Sequence, residues 1–191
     1  MPCYPTTDGK AFDFPKLQWY HDGVAWCLKN KLMTNREDGT FGVSEAASRA
    51  TIAEILWRLA DSPQAEESGG FADVDGDKWY AGAVAWAAEN GIAVGYGNGT
   101  FGPEEPITRE QLVCMLYRYA QSQGKGFTGA WMMQLDYPDA GSVSDWAYEA
   151  MCWMTMNGII NGRGGNHLDP AGQASRAEVA AMLQHLAACM K

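Results

Sequence analysis

Positive charge is scarce in this chain. Lysine and arginine number 14 against 23 aspartates and glutamates in 191 residues, for a formal net charge of −9. That balance argues against non-specific nucleic-acid binding, which rests on basic patches. Affinity for an anionic polymer would have to come from individual arginines. No apolar run approaches the ~18 residues of a membrane helix, so no membrane span is expected. The amino terminus, Met1-Pro2-Cys3-Tyr4-Pro5, lacks a basic region followed by an apolar stretch, so no secretion signal is visible. Two expectations follow: either the chain begins after such a signal, or the protein stays in the cytoplasm. The five cysteines (Cys3, Cys27, Cys114, Cys152 and Cys189) show no paired spacing and read as small buried hydrophobes. His-Glu-x-x-His and Cys-x-x-Cys are both missing, and no metal or cofactor is expected.

What the chain does have is an apolar content of 47% and eight tryptophans, which point to a globular fold. It also repeats itself. The stretch Gly91 to Arg109 holds a glycine stop, a glycine-rich loop and a helix start at Thr108. Lys31 to Arg49 and Gly158 to Arg176 repeat it. Trp19, Trp26 and Arg49 recur 60 positions on (79 − 19) as Trp79, Trp86 and Arg109. They recur again 67 positions further (146 − 79) as Trp146, Trp153 and Arg176. Three landmarks sharing one offset leave no room for insertions between them, so the chain is a threefold repeat.

The second repeat carries Phe71-Ala72-Asp73-Val74, Trp79-Tyr80, Asn90-Gly91-Ile92, Gly95, Gly99-Thr100-Phe101-Gly102-Pro103 and Ile107-Thr108-Arg109-Glu110-Gln111. The third keeps Asp139, Trp146, Asn157-Gly158-Ile159, Gly162, Asp169-Pro170 and Ser175-Arg176-Ala177-Glu178. The first is the most worn, with Asn30-Lys31-Leu32, Val43 in place of proline, and Ser48-Arg49-Ala50-Thr51. Over nearly the whole chain these residues resemble the S-layer homology family. The resemblance implies an all-α fold in which three helix-loop-helix repeats form a pseudo-threefold, three-pronged domain. The expected boundaries are residues 1–62, 71–123 and 137–191, with linkers at 63–70 and 124–136.

Helices are expected over about Asp22–Asn30, Ser48–Ala60 and Trp79–Asn90, with a further one starting at Thr108. Ile52, Ile55, Leu56 and Leu59 form an apolar stripe. Leu112, Met115, Leu116 and Tyr119 carry it in the second repeat, and Val179, Met182, Leu183 and Leu186 in the third. Thr108 with Gln111 and Ser175 with Glu178 fit a capping box, which Thr51 breaks in the first repeat. Phe12-Asp13-Phe14-Pro15 is a worn copy of the repeat opening. Trp131-Met132-Met133-Gln134-Leu135 is expected to pack over a repeat boundary, with a protein partner at residues 127–136 as the alternative. Helices this short are marginal alone in water, so the stripes must be buried by packing copies together.

The candidate site is built on Arg49, Arg109 and Arg176, each just after a helix cap. A cation there opposes the helix dipole. Two readings explain it. One is an anionic ligand held by the guanidinium together with exposed backbone N–H groups. The other is an ion pair to a loop carboxylate such as Asp73 or Asp139. Resemblance implies the first, with contact to secondary cell-wall polysaccharide, often a pyruvylated sugar; Arg109 and Arg176 come ahead of Arg49. Gly95, Gly99 and Gly162 would let backbone approach a ligand. Trp26, Trp86 and Trp153 sit mid-helix and read as core. Trp19, Trp79 and Trp146 open their helices, with a core position first and a groove position second, and Trp79 and Trp146 are carried as candidate ligand contacts.

Catalytic patterns fail. Asp73-x-Asp75-x-Asp77 begins like a calcium loop, but Lys78 and Val84 stand where glycine and glutamate are required. Gly95-x-Gly97-x-Gly99 lies between helices and lacks the dinucleotide spacing. His21, His167 and His185 fall at unequal repeat positions, and no carboxylate pair stands out for glycoside hydrolysis. The expectation is therefore a non-catalytic anchor for cell-wall polysaccharide, located outside the cell at the wall or S-layer. The alternative is a protein-interaction scaffold that has lost carbohydrate binding.

Overall fold

The structure is a computed structural model that describes residues 16–65 and 70–191. Cys3 and the Phe12–Pro15 copy of the repeat opening lie outside the described residues. Among the described residues the elements are helical, as expected: α1 His21–Lys29, α2 Arg49–Leu59, α3 Ala81–Glu89, α4 Arg109–Ser122, α5 Asp145–Met156 and α6 Arg176–Cys189, with a short 3-10 turn at Ala140–Ser142.

Local chemistry sets the ends. Ser48, Thr108 and Ser175 are extended N-cap residues whose hydroxyls accept from the N–H three residues on. The box is reciprocal at Gln111 and Glu178. At α2 only half of it forms, because Thr51 cannot reach back and meets the Ser48 hydroxyl at 2.9 Å instead. Gly91 (φ +66°) and Gly158 (φ +64°) close α3 and α5 in the left-handed conformation. Lys31 does the same job at φ +57° in the first repeat, where a side chain makes that conformation cost about 1 kcal/mol.

The two helices of one repeat do not pack on each other. Instead α2 packs on α3, α4 on α5, and α6 on α1. Each second helix thus covers the first helix of the next repeat, and the last contact closes the cycle. The stripes are buried this way: Ile52, Ile55, Leu56, Leu112, Leu116, Leu183 and Leu186 are all fully covered. The closing contact is tight. A Cβ at Gly23 of α1 would lie 2.7 Å from the Ala181 backbone of α6, so only glycine permits this approach.

The middle is a ring of hydrogen bonds. Ile107 N–H donates to Ala47 O at 2.9 Å, Ala174 N–H to Ile107 O at 3.0 Å, and Ala47 N–H to Ala174 O at 3.0 Å. These three residues are repeat equivalents, each one ahead of an N-cap. The backbone therefore carries the pseudo-threefold relation directly. Isolated bridges pair Ser48 with Pro106, Thr108 with Gln173 and Ala46 with Ser175 around the same ring.

The apolar linker segment does pack at a repeat boundary. Phe127 stacks on Trp131 with centroids 4.3 Å apart, Phe127 N–H donates to the Tyr117 hydroxyl of α4, and Leu135 is buried. Met132 points away and is wholly exposed.

Candidate functional site: grooves at the repeat boundaries

Each cap arginine reaches across to the loop of the next repeat and clamps it by two carbonyls. Arg49 donates from Nε to Phe101 O (2.7 Å) and from Nη2 to Val94 O (3.2 Å). Arg109 donates to Leu168 O (2.7 Å) and Asn161 O (3.1 Å). Arg176 donates to Phe41 O and Thr34 O, both at 2.8 Å. The acceptors follow the same offsets as the arginines. This explains a cation at a helix N-terminus: the guanidinium fork satisfies loop carbonyls that the neighbouring repeat would otherwise leave unpaired.

Of the two readings of these arginines, the ion pair to a loop aspartate is not formed among the described residues. Asp73 and Asp139 do not pair with them. Asp73 accepts from the N–H groups of Phe101 (2.8 Å) and Gly102 (2.7 Å), and Asp139 from those of Leu168 (2.9 Å) and Asp169 (2.7 Å). Burial alone would raise these carboxyls, but the paired N–H groups prevail and hold both below the usual range. Nor are the helix N-terminal amides open. Arg109 N–H donates to Gly172 O and Glu110 N–H to Pro170 O. Arg49 and Ala50 bond Glu105 O and Pro103 O, and Arg176 and Ala177 bond Glu45 O and Val43 O, in the same way. These donors tie repeats together and are not free for an anion.

Two grooves built from equivalent positions lie beside the arginines. The first, about 390 Å³, is lined by Arg49, Tyr96, Gln111, Arg118 and Trp146, with Gly95 at its wall. The second, about 730 Å³, has Arg109, Arg163, Glu178, His185 and Trp19 at the matching places, with Gly162 at its wall. The expected residues Arg49, Arg109, Gly95, Gly162 and Trp146 are thus brought into grooves. Gly95 and Gly162 are there for their own loops, since a Cβ would meet Thr100 O at 2.3 Å and the Asn166 backbone at 2.6 Å. Gly99 takes φ +83° with nothing within 4 Å of a would-be Cβ, so a turn accounts for it. Trp79 occupies the position in its repeat that Trp19 and Trp146 occupy in theirs.

The tryptophans correct the expectation of a core position. Trp19, Trp79 and Trp146 are 65%, 62% and 55% exposed. The cause is the next residue. Tyr80 is buried and Trp79 packs edge-on against it at 5.2 Å, with its own ring turned outward; Tyr20 and Trp19 repeat the pair at 5.1 Å. Accordingly α3 starts at Ala81, two residues later than expected, and Trp79 stands before the helix. Of the mid-helix set, Trp86 and Trp153 are buried, and Trp26 is half-buried against the core.

Electrostatics differ between grooves. Arg109 is 1% exposed, and its Nη1 donates to Glu178 Oε1 at 2.5 Å. Arg163 Nη1 reaches the same oxygen at 3.3 Å and its Nη2 pairs with Asp169. Burial depresses the Arg109 pKa, Glu178 opposes that, and the Arg163 cation adds to it. Arg49 lies over the Phe101 and Tyr96 rings at 4.5 and 4.8 Å. Burial depresses its pKa, Tyr96 and Glu105 oppose the fall, and Arg118 adds to it. At the third boundary Arg176 lies 4.7 Å from the Phe41 ring, while Glu54 holds Arg58 at 2.8 Å. In the sequence Trp19 enters only as a residue of the helix opening, with a groove as its second position, and Arg118 and Arg163 carry no mark there. The repeat offsets could have flagged them, because Arg118 aligns with Arg58 and His185.

Comparison with known proteins agrees with this register. The S-layer homology domain model matches residues 13–53, 70–113 and 136–180. This chain belongs to the S-layer homology family. It is 29% identical to an amylopullulanase of Thermoanaerobacterium thermosulfurigenes over 93% of its own length and 9% of the enzyme's. It is also 29% identical to an exoglucanase of Acetivibrio thermocellus, covering 92% of this chain and 16% of the enzyme. A surface-layer 125 kDa protein of Lysinibacillus sphaericus matches at 28% identity, over 88% of this chain and 14% of that protein. The S-layer homology chain therefore spans less than a fifth of the length of these relatives. No helix among the described residues is long and apolar enough to cross a membrane.

Proposed function

We propose that this chain is a non-catalytic anchoring module that holds a protein at the bacterial cell surface by binding secondary cell-wall polysaccharide in its inter-repeat grooves. The observation that carries this reading is the company the segment keeps. An amylopullulanase, an exoglucanase and a surface-layer protein share it as a small part of their length. Their names share no single reaction, and one of them is a surface-layer protein. Groove chemistry supports the reading: a guanidinium, an exposed tryptophan face on which a pyranose can stack, and polar side chains such as Gln111 and Glu178 set in a largely apolar wall. Arg49, Arg109, Arg176, Trp79 and Trp146 are the proposed contacts, with Arg109 and Arg176 also fixing the groove walls. Repeated weak sites on one polymer raise the avidity. The ligand is anionic, a carboxylate-bearing sugar of the pyruvylated kind, and the location is the wall or S-layer outside the cell.

Co-sedimentation with purified wall sacculi tests this, before and after the secondary polymer is stripped. Trp19, Trp79 and Trp146 changed together to alanine is the suitable variant, because these rings are exposed and the fold should survive. Sedimentation lost on stripping and in the variant supports the anchor. Sedimentation indifferent to both overturns it. A protein partner on residues 127–136 is the second reading, favoured by the wholly exposed Met132 beside the Phe127–Trp131 stack. Pull-down lost in Met132→Asp, with sacculus binding intact, would establish that partner.

A further inference from the structure

Asparagine is followed by glycine at four places: Asn90-Gly91, Asn98-Gly99, Asn157-Gly158 and Asn161-Gly162. Such a pair can modify itself, because a glycine N–H with no Cβ beside it can attack the asparagine side-chain carbonyl. Three of the four are held in ways that oppose this. Asn90 and Asn157 donate from Nδ2 to Trp86 O and Trp153 O, both at 2.8 Å. The attacking N–H groups there are engaged as well, Gly91 with Ala88 O and Gly158 with Thr155 O, both at 3.0 Å. At Asn161 the peptide carbonyl is clamped by Arg109 Nη2 at 3.1 Å, and Gly162 is pressed against the Asn166 backbone. Asn98 differs. Its Oδ1 accepts from both the N–H and the hydroxyl of Thr100, at 3.0 and 2.7 Å. That turn draws Cγ back over the Asn98–Gly99 peptide and sets two donors on the carbonyl that would take up negative charge. Gly99 N–H donates to no acceptor among the described residues, and both residues are exposed.

We infer that Asn98-Gly99 is a self-modifying site, which deamidates in the folded protein while the other three pairs stay intact. Gly99 N gives its proton to solvent and attacks Asn98 Cγ. A C–N bond forms, the Cγ–Nδ2 bond breaks, and Nδ2 leaves as ammonia with a proton from water. Water then opens the succinimide at either carbonyl, to aspartate or to isoaspartate, and no oxidant or cofactor is needed. The fold already holds the first product elsewhere. In the first repeat Asp38 takes the N–H and the hydroxyl of Thr40 at 2.8 and 2.7 Å, in the same turn. There Arg36 Nη2 neutralises Asp38 at 2.8 Å. Tyr96 stands at the matching place in the second repeat and is bonded to Glu105, so the new carboxylate arrives without that cation. The isoaspartate product lengthens the backbone just ahead of Phe101, whose carbonyl Arg49 holds. Modification therefore adds negative charge and loosens the loop that Arg49 clamps.

Peptide mass spectrometry tests this on the whole chain, aged in mildly alkaline buffer with and without guanidinium, with fragment spectra separating the four pairs. In the native protein Asn98 should convert about tenfold faster than Asn90, Asn157 or Asn161, or more. In denaturant the four rates should converge, because the bonds that set them apart are gone. Thr100→Val, shown to be folded by circular dichroism, removes one donor from the Asn98 carbonyl and should slow Asn98 alone. Native conversion at Asn98 no faster than at Asn90 and Asn157 overturns the inference. A lead at Asn98 that persists undiminished in denaturant also overturns it, since local sequence and not the fold would then be the cause. A Thr100→Val chain that ages at the wild-type rate overturns the role given to the Thr100 hydroxyl.

Discussion

Close to the axis, the three repeats perform one task with interchangeable residues. Ala47, Ile107 and Ala174 pass a hydrogen bond around a ring, and the three cap arginines clamp matching carbonyls. Further out, at the grooves, the same register holds different chemistry. One position is Thr51, Gln111 or Glu178; another is Glu54, Cys114 or Ala181; a third is Arg58, Arg118 or His185. Backbone geometry constrains the first region, because an unpaired buried carbonyl or N–H is costly wherever it occurs. Solvent-facing groove walls carry no such constraint. Symmetry therefore survives where the fold needs it, and is lost where side chains are free to set what binds.

That contrast can be broken most forcefully at Arg109. Arg109→Ala removes three hydrogen bonds from a buried clamp and leaves Glu178 without its closest partner. It should cost about 3 to 5 kcal/mol in denaturant unfolding. Trp146→Ala, in a groove wall, should change stability by less than about 0.5 kcal/mol. Equal losses in the two variants would erase the distinction. Next in size is Gly23→Ala at the closing helix pair. A Cβ there meets the Ala181 backbone, and about 1 to 3 kcal/mol of destabilisation is expected by thermal unfolding.

Acid sharpens the comparison further. Asp73 and Asp139 cap loop amides in the second and third repeats, and their carboxyls are held below the ordinary value. A carboxyl with a depressed folded pKa contributes stability above its unfolded value, about 3.9, and that contribution is lost as pH falls through the folded one. Thermal midpoints should drop below about pH 4, and Asp73→Asn with Asp139→Asn should flatten that slope. The smallest effect belongs to Thr51→Glu, which restores the reciprocal box at α2 and places an acid in its first turn. A gain of about 0.3 to 1 kcal/mol is expected in urea unfolding.

The repeat, its register and the all-α class were legible in the sequence because tryptophan, glycine and cap positions recur at fixed offsets. The capping boxes at Gln111 and Glu178 were legible for the same reason, as was the half-formed one at Thr51. Side-chain partners were less so. For Arg109 the sequence offers a ligand contact or an ion pair to a loop aspartate; the structure adds two backbone carbonyl acceptors, which leave no mark in a sequence. For Trp79 the sequence puts a core position ahead of a groove position, because tryptophan is usually buried. Which of Trp79 and Tyr80 turns inward depends on where α3 begins, and a boundary error of two residues reverses it.

The central claim, that a wall polymer lies in the inter-repeat grooves, is tested most directly by titrating purified secondary cell-wall polymer into ¹⁵N-labelled protein and reading the indole N–H signals. The account predicts shifts at one or more of Trp19, Trp79 and Trp146, with the buried Trp86 and Trp153 unchanged. Saturating polymer that leaves all three exposed tryptophans unmoved would contradict it.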